Sequence, residues 1–127
     1  MKNIFAPVLV TICLIFLASC DKVYTYEYRV KNISDTSTMI VHYHFRNDSV
    51  DNIVALPAGE EKLIYITHHG VEGKGPHFSP VANDVDSVIV IKGSARSTKD
   101  LRVDDNWIYS VSHSTGLYNA TISDSEF

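Results

Sequence analysis

Cysteine is nearly absent from this chain. There are two, Cys13 inside an apolar run and Cys20 just after it, so residues 21–127 have none and must fold without disulfides. Long apolar runs are also missing. A membrane-spanning helix needs about 20 consecutive apolar residues, and the run from Ala6 to Leu17 is shorter. Basic charge is scarce, with 11 Lys+Arg against 15 Asp+Glu and a net charge of −4. That balance argues against nucleic acid as a partner and against a polybasic membrane patch, both of which need a cationic surface. Only 6 glycines and 4 prolines are present, which excludes collagen-like and low-complexity chains. There is no internal repeat, no convincing helical period, and no Gly-x-Ser-x-Gly elbow of the serine hydrolases.

What is present begins with the first 20 residues. Lys2 precedes the apolar run, which ends in Leu17-Ala18-Ser19-Cys20. A short apolar stretch closed by small residues has the form of an export signal rather than a membrane span. The four closing residues resemble the lipobox of bacterial lipoproteins at every position. That resemblance implies cleavage before Cys20, diacylglycerol on its sulfur and a further acyl chain such as palmitate on its amine. It also accounts for a lone cysteine at a mature N-terminus. Two or three chains hold a protein on a membrane durably, where one does not. The expected organisation is a signal peptide over residues 1–19 and one domain over residues 20–127. Without Lys2, 10 basic side chains remain against 15 acidic ones, net −5. Asp21 resembles an inner-membrane retention signal in some Gram-negative bacteria, while other lineages place acidic residues here for surface export. The expectation is the cell envelope of a Gram-negative bacterium, at the outer membrane in preference to the inner.

Beyond Cys20 the dominant period is two. Tyr24, Tyr26, Tyr28 and Val30 alternate with Thr25, Glu27, Arg29 and Lys31, which predicts a half-buried strand over 24–33. Over 38–46, Met39, Val41, Tyr43 and Phe45 face one way and Ile40, His42, His44 and Arg46 the other. A shorter strand is expected at 50–56. Residues 61–68 carry Leu63, Ile64, Tyr65 and Ile66 without a clean polar face, so this strand is expected to be central and covered on both sides. Residues 85–92 are rich in β-branched side chains. Residues 107–113 are expected to turn Trp107, Tyr109 and Val111 inward, and 117–123 to close the fold with Tyr118, Ala120 and Ile122. Turn formers separate these runs. About seven strands without helices predict an all-β, antiparallel sandwich with an Ig-like topology, a small barrel being the alternative. The lipobox, the Tyr-x-Val-x-Asn strand (Tyr28 to Asn32), Pro57-Ala58-Gly59-Glu60 before a strand, and the Trp107 strand with its final hairpin resemble small uncharacterised β-sandwich lipoproteins of Gram-negative bacteria. That likeness implies a fold and a location but carries no activity.

Candidate chemistry is sparse. His42 and His44 are two apart on one strand and so share a face. They offer two ligands to zinc or copper, with a third to be sought in His68, His69, His77 or His113. The competing reading is a solvated face beside Arg46. Asp84 with Asp86 could share a strand face as paired acids, or be solvated charges where a loop enters a strand. Asp104-Asp105-Asn106 lacks the spacing of a calcium loop and reads as a polar turn. Residues 69–84 form the longest irregular stretch, and His69, Lys74, His77 and Phe78 on it make the best recognition surface. The tyrosines of the first strand either fill the core beside Trp107 or stack on a ligand. Asp48-Ser49-Val50 resembles a bacterial O-glycosylation site, which singles out Ser49. No cofactor is implied. The expectation is a lipid-anchored, non-enzymatic envelope module that binds a protein or glycan. The alternative is a small metal-binding protein or hydrolase using His42, His44 and nearby carboxylates.

Overall fold

A computed structural model describes residues 22–127. They form two four-stranded sheets packed face to face, an all-β sandwich that is not closed into a barrel. The strands are β1 (Lys22–Asn32), β2 (Met39–Phe45), β3 (Asn52–Leu56), β4 (Glu61–Val71), β5 (Val85–Lys92), β6 (Ala95–Arg96), β7 (Ile108–Ser112) and β8 (Thr115–Ile122). One sheet has the order β4-β1-β8-β7 and the other β3-β2-β5-β6. The signal peptide expected over residues 1–19 and the lipobox-like stretch Leu17 to Cys20 lie outside the described residues.

Strands β1 to β6 follow the order of the immunoglobulin strands B, C, C′, E, F and G. The place of strand A, beside β1, is taken by β8 from the other end of the chain. Strand A would precede β1 and run against it. The last strand instead returns from a hairpin and runs parallel to β1, pairing Thr25 with Thr115 through to Asn32 with Ile122. Every other pairing is antiparallel.

The core is the set of inward positions that period two marks out. Tyr26, Tyr28 and Val30 of β1 and Met39, Val41 and Phe45 of β2 are buried, as are Tyr118, Ala120 and Ile122 of β8. Tyr28 stacks on Tyr118 with centroids 4.6 Å apart and meets Trp107 edge-on at 5.5 Å. These tyrosines therefore fill the core and offer no stacking face to a ligand. Ring pairs of this geometry contribute about 0.5–1.5 kcal/mol beyond their buried area.

Two strand expectations need correcting. β4 is not central: it is the edge of its sheet, and Leu63 and Ile66 on its outer face are exposed. Val111 does not point into the core but is 52% exposed, because β7 is also an edge strand.

At the end of the sandwich where β1 finishes, Asn32 is fully buried with every side-chain group used. Its amide donates to the carbonyls of Ser37 (2.7 Å) and Leu56 (2.9 Å), and its oxygen accepts from Ser34 N–H (2.9 Å) and Oγ (2.6 Å). It ties the end of β1 to the turn before β2 and to the end of β3. The opposite end carries the start of β1, the segment 72–84, and the β7–β8 turn.

Candidate functional site: a loop clasped by core tyrosines

The irregular stretch is shorter than its composition suggests. β4 continues through His69 and Gly70 to Val71, pairing Gly70 with Val23, and a 3-10 turn spans Val81–Asn83. Gly70 reads as a breaker, but on an edge strand a missing side chain forfeits little packing. The loop proper is 72–80, and His69 belongs to a strand.

Loop 72–80 crosses the mouth of the sandwich and is held there by hydroxyl groups rising out of the core. Alternation along β1 turns Tyr24, Tyr26 and Tyr28 to one side, and Tyr118 of β8 is level with Tyr28. Their rings are apolar and their tips need partners. Tyr24 Oη accepts from Gly75 N–H at 2.8 Å. Tyr26 Oη accepts from His77 N–H and donates to the His77 carbonyl, both at 3.1 Å. Tyr118 Oη accepts from Ser79 N–H at 2.8 Å and donates to the Ser79 carbonyl at 2.6 Å. Three alternate loop residues are thus bonded through their backbones, much as a strand would be, but to side chains. Asp104 Oδ1 holds the far end of the loop by accepting from Val81 N–H at 2.7 Å. Acidic Asp104 is thereby a structural acceptor in the 3-10 turn Asp104–Asn106.

Tyr28 uses its hydroxyl differently. It donates to Asp84 Oδ2 at 2.6 Å, and His69 Nε2 lies 3.0 Å from both oxygens of the same carboxylate. Asp84 is only 4% exposed, and a buried carboxylate is tolerable only when paired in this way. Burial first, and then the bond to Asp84, push the Tyr28 hydroxyl well above its ordinary range, so it stays a neutral donor. The ring of Tyr26 packs edge-on against His69 at 5.1 Å. His69 and Asp84 form an oriented pair, but among the described residues no serine, threonine or cysteine side chain is hydrogen-bonded to His69. The pair joins β4 to the entry of β5.

The other candidates are scattered. Lys74, His77 and Phe78 are exposed on the loop, and the His77 backbone is the one of the three bonded to a tyrosine. Phe78 is 49% exposed and leans on Tyr109 with centroids at 5.6 Å. His42 and His44 lie on the outer face of the second sheet, level with Ile89 and Ser87 of β5. His44 Nδ1 is 3.0 Å from Asp51, and Asp86 bridges toward His44 Nε2 (3.7 Å) and Arg46 Nε (3.3 Å). No group of three His, Cys, Asp or Glu among the described residues is placed to hold a metal ion. Asp84 and Asp86 do not share a face: a register shift at His44/Phe45 sends Asp84 inward and leaves Asp86 outside. His68 meets Thr25 Oγ1 at 3.3 Å, and His113 sits in the β7–β8 turn with φ of 55°. Ser49 is exposed in the turn between β2 and β3.

Sequence reasoning missed the clasp and the Tyr28–Asp84–His69 cluster. The signal for the clasp was there: three tyrosines in period two bury three hydroxyls that must bond to something. Comparison of the chain with protein-family models, with curated proteins and with solved structures gave no match.

Proposed function

We propose that the chain is a lipid-anchored, non-enzymatic module of the bacterial cell envelope that binds a protein or glycan through loop 72–80. The observation that supports this reading is the tyrosine clasp. A loop bonded at Gly75, His77 and Ser79 to side chains of the core loses little further entropy when a partner arrives. Its Lys74, His77 and Phe78 side chains are exposed. An aromatic ring, a cation and an imidazole on a fixed backbone make a contact surface of the kind that scaffolds use.

The place of the loop adds a second element. Lys22 pairs with Val71, and Gly75 bonds to Tyr24, so the loop sits at the end where the chain enters β1. That entry is two residues past Cys20. If Cys20 carries lipid, the loop faces the membrane, and its partner is met at the membrane surface rather than out in the periplasm or medium. For the alternative, metal binding or hydrolysis by His42, His44 and nearby carboxylates, no group of three His, Cys, Asp or Glu among the described residues is placed to hold a metal ion.

The test is a photo-cross-linking amino acid placed at Phe78 in the full chain, expressed in its own leader form in a Gram-negative host. A specific adduct is expected from Phe78, lost when Cys20→Ser removes the anchor. Ser94, exposed in the β5–β6 turn at the opposite end, serves as the control position. Equal adducts from Ser94 and Phe78, or none from Phe78, would contradict the proposal.

A further inference from the structure

β6 is two residues long, so it covers only the last part of β5. Ile91 and Lys92 pair with Arg96 and Ala95, and Ser97 N–H donates to the Val90 carbonyl at 2.9 Å. The chain then leaves the sheet. Thr98 N–H turns to the carbonyl of Glu126 at 2.7 Å, and Leu101 is fully buried in the core. In an antiparallel ladder, successive residues address their N–H and C=O groups to opposite neighbours. Val90 addresses the β6 side, so Val88, two residues earlier, does the same. Among the described residues no group from β6 or from 97–102 bonds to the backbone of Val88. In immunoglobulin terms, strand G is cut short and strand F is left with an open edge.

The space beside that edge is a groove of about 200 Å³. One wall is the β5 backbone from Ser87 to Val90, and the other is the segment carrying Arg96, Lys99, Asp100 and Arg102. Three of the ten basic side chains beyond Lys2 open onto it, with one carboxylate, on a chain that is otherwise acidic. Asp100 holds Arg102 at 2.9 Å, and Glu126 holds Lys99 at 3.0 Å. Arg96 pairs with no carboxylate among the described residues.

We infer that this groove takes an extended acidic peptide segment of a partner protein, added as a strand to the open edge of β5. Main-chain bonds to Val88 supply the pairing, as in other strand additions. The partner's carboxylates face Arg96 and Arg102, which sets the sign of charge the groove accepts. The chain's own acidic C-terminal segment is already engaged, with Asp124 on Lys92 at 2.9 Å and Glu126 on Thr98 and Lys99 of the groove wall. It is not a free strand to be offered to a second copy. The inference rests on the binding-module reading above but uses a surface separate from loop 72–80.

Among the described residues the buried hydrophobic core runs from Tyr26 to Ile122, and residues 20–127 with Cys20→Ser, which contain it, serve for the experiment. The probe is an acetylated hexapeptide of alternating glutamate and valine, titrated into the isotope-labelled protein. The Val88 amide is expected to shift and to exchange more slowly with solvent as the peptide is added. The same peptide with lysine for glutamate should bind about tenfold more weakly or worse, and Arg96→Glu with Arg102→Glu should weaken the acidic peptide by a similar factor. These two positions are exposed, so the double variant keeps the wild-type spectrum. Alanine at Lys74, His77 and Phe78 should leave peptide binding unchanged, which separates this site from the loop. No change at Val88 up to millimolar peptide overturns the inference, as does equal binding of the two peptides. Protection of Val88 that rises with protein concentration alone also overturns it, because the occupant is then a second copy.

Discussion

At the scale of single residues, the polar groups in the interior decide more than the apolar ones. Asn32 reads in the sequence as one more turn former at a strand end. In the folded chain it is buried and makes four hydrogen bonds to three residues in two other segments. Asn32→Ala leaves the Leu56 carbonyl and the Ser34 N–H without these partners in a dry place, while the Ser37 carbonyl keeps Ser34 Oγ at 2.9 Å. The expected loss is about 2–3 kcal/mol of stability, measured by urea unfolding. A loss no larger than that of an exposed alanine substitution would show that water replaces the amide. Asp84 gives the same lesson. Its neighbour two along, Asp86, looks equivalent in sequence, yet one is buried against Tyr28 and His69 and the other is solvated beside Arg46. Period two placed them on one face, and the bulge opposite His44/Phe45 parted them. A bulge is set by how two distant strands meet, and no residue in the local sequence announces it.

At the scale of elements, alternation carried most of the fold. β1, β2 and β8 turn inward the residues that period two assigns to the core, because each is flanked by partners and has one buried face. The expectation failed at the edges. β4 and β7 border their sheet, so apolar residues that look internal in sequence stand exposed at Leu63, Ile66 and Val111. Which strand becomes an edge depends on strand order, and the parallel pairing of β1 with β8 could not be read from either strand alone. That pairing creates one close fit. Gly116 of β8 lies under the Tyr26 ring, and a Cβ there would stand 2.6 Å from Tyr26 Cδ1. Gly116→Ala must displace the ring, and with it the hydroxyl that holds His77. A destabilisation of about 1–3 kcal/mol is expected. The loop amide of His77 should lose protection at the same time. A variant as stable as the parent would mean that Tyr26 has free room to move, contrary to its burial.

At the scale of the whole molecule, the sandwich is held by phenols kept neutral. Burial is the leading cause of raised ionisation for Tyr28, Tyr43, Tyr65, Tyr109 and Tyr118. In the unfolded chain tyrosine ionises near pH 10. A raised value in the folded state means that the unfolded chain gives up its protons first. The stability tied to these groups is therefore complete below about pH 10 and falls as pH rises beyond it. The urea midpoint should drop above that pH, and phenolate absorbance from the core rings should appear together with unfolding. Phenolate absorbance from all seven tyrosines without loss of the fold would contradict this. The same tyrosines connect fold to proposed function, since Tyr26 and Tyr118 pack the core with their rings and fix loop 72–80 with their hydroxyls.

The account depends on that loop being part of the sandwich rather than a free connector, and amide hydrogen exchange measures this directly. The Gly75, His77 and Ser79 amides are predicted to exchange slowly, while the Glu72 and Lys74 amides exchange at open-chain rates. Tyr118→Phe should release Ser79 first. If Gly75, His77 and Ser79 exchange as fast as Glu72 in the wild-type protein, the loop is not clasped, and the binding surface proposed for it has no fixed form.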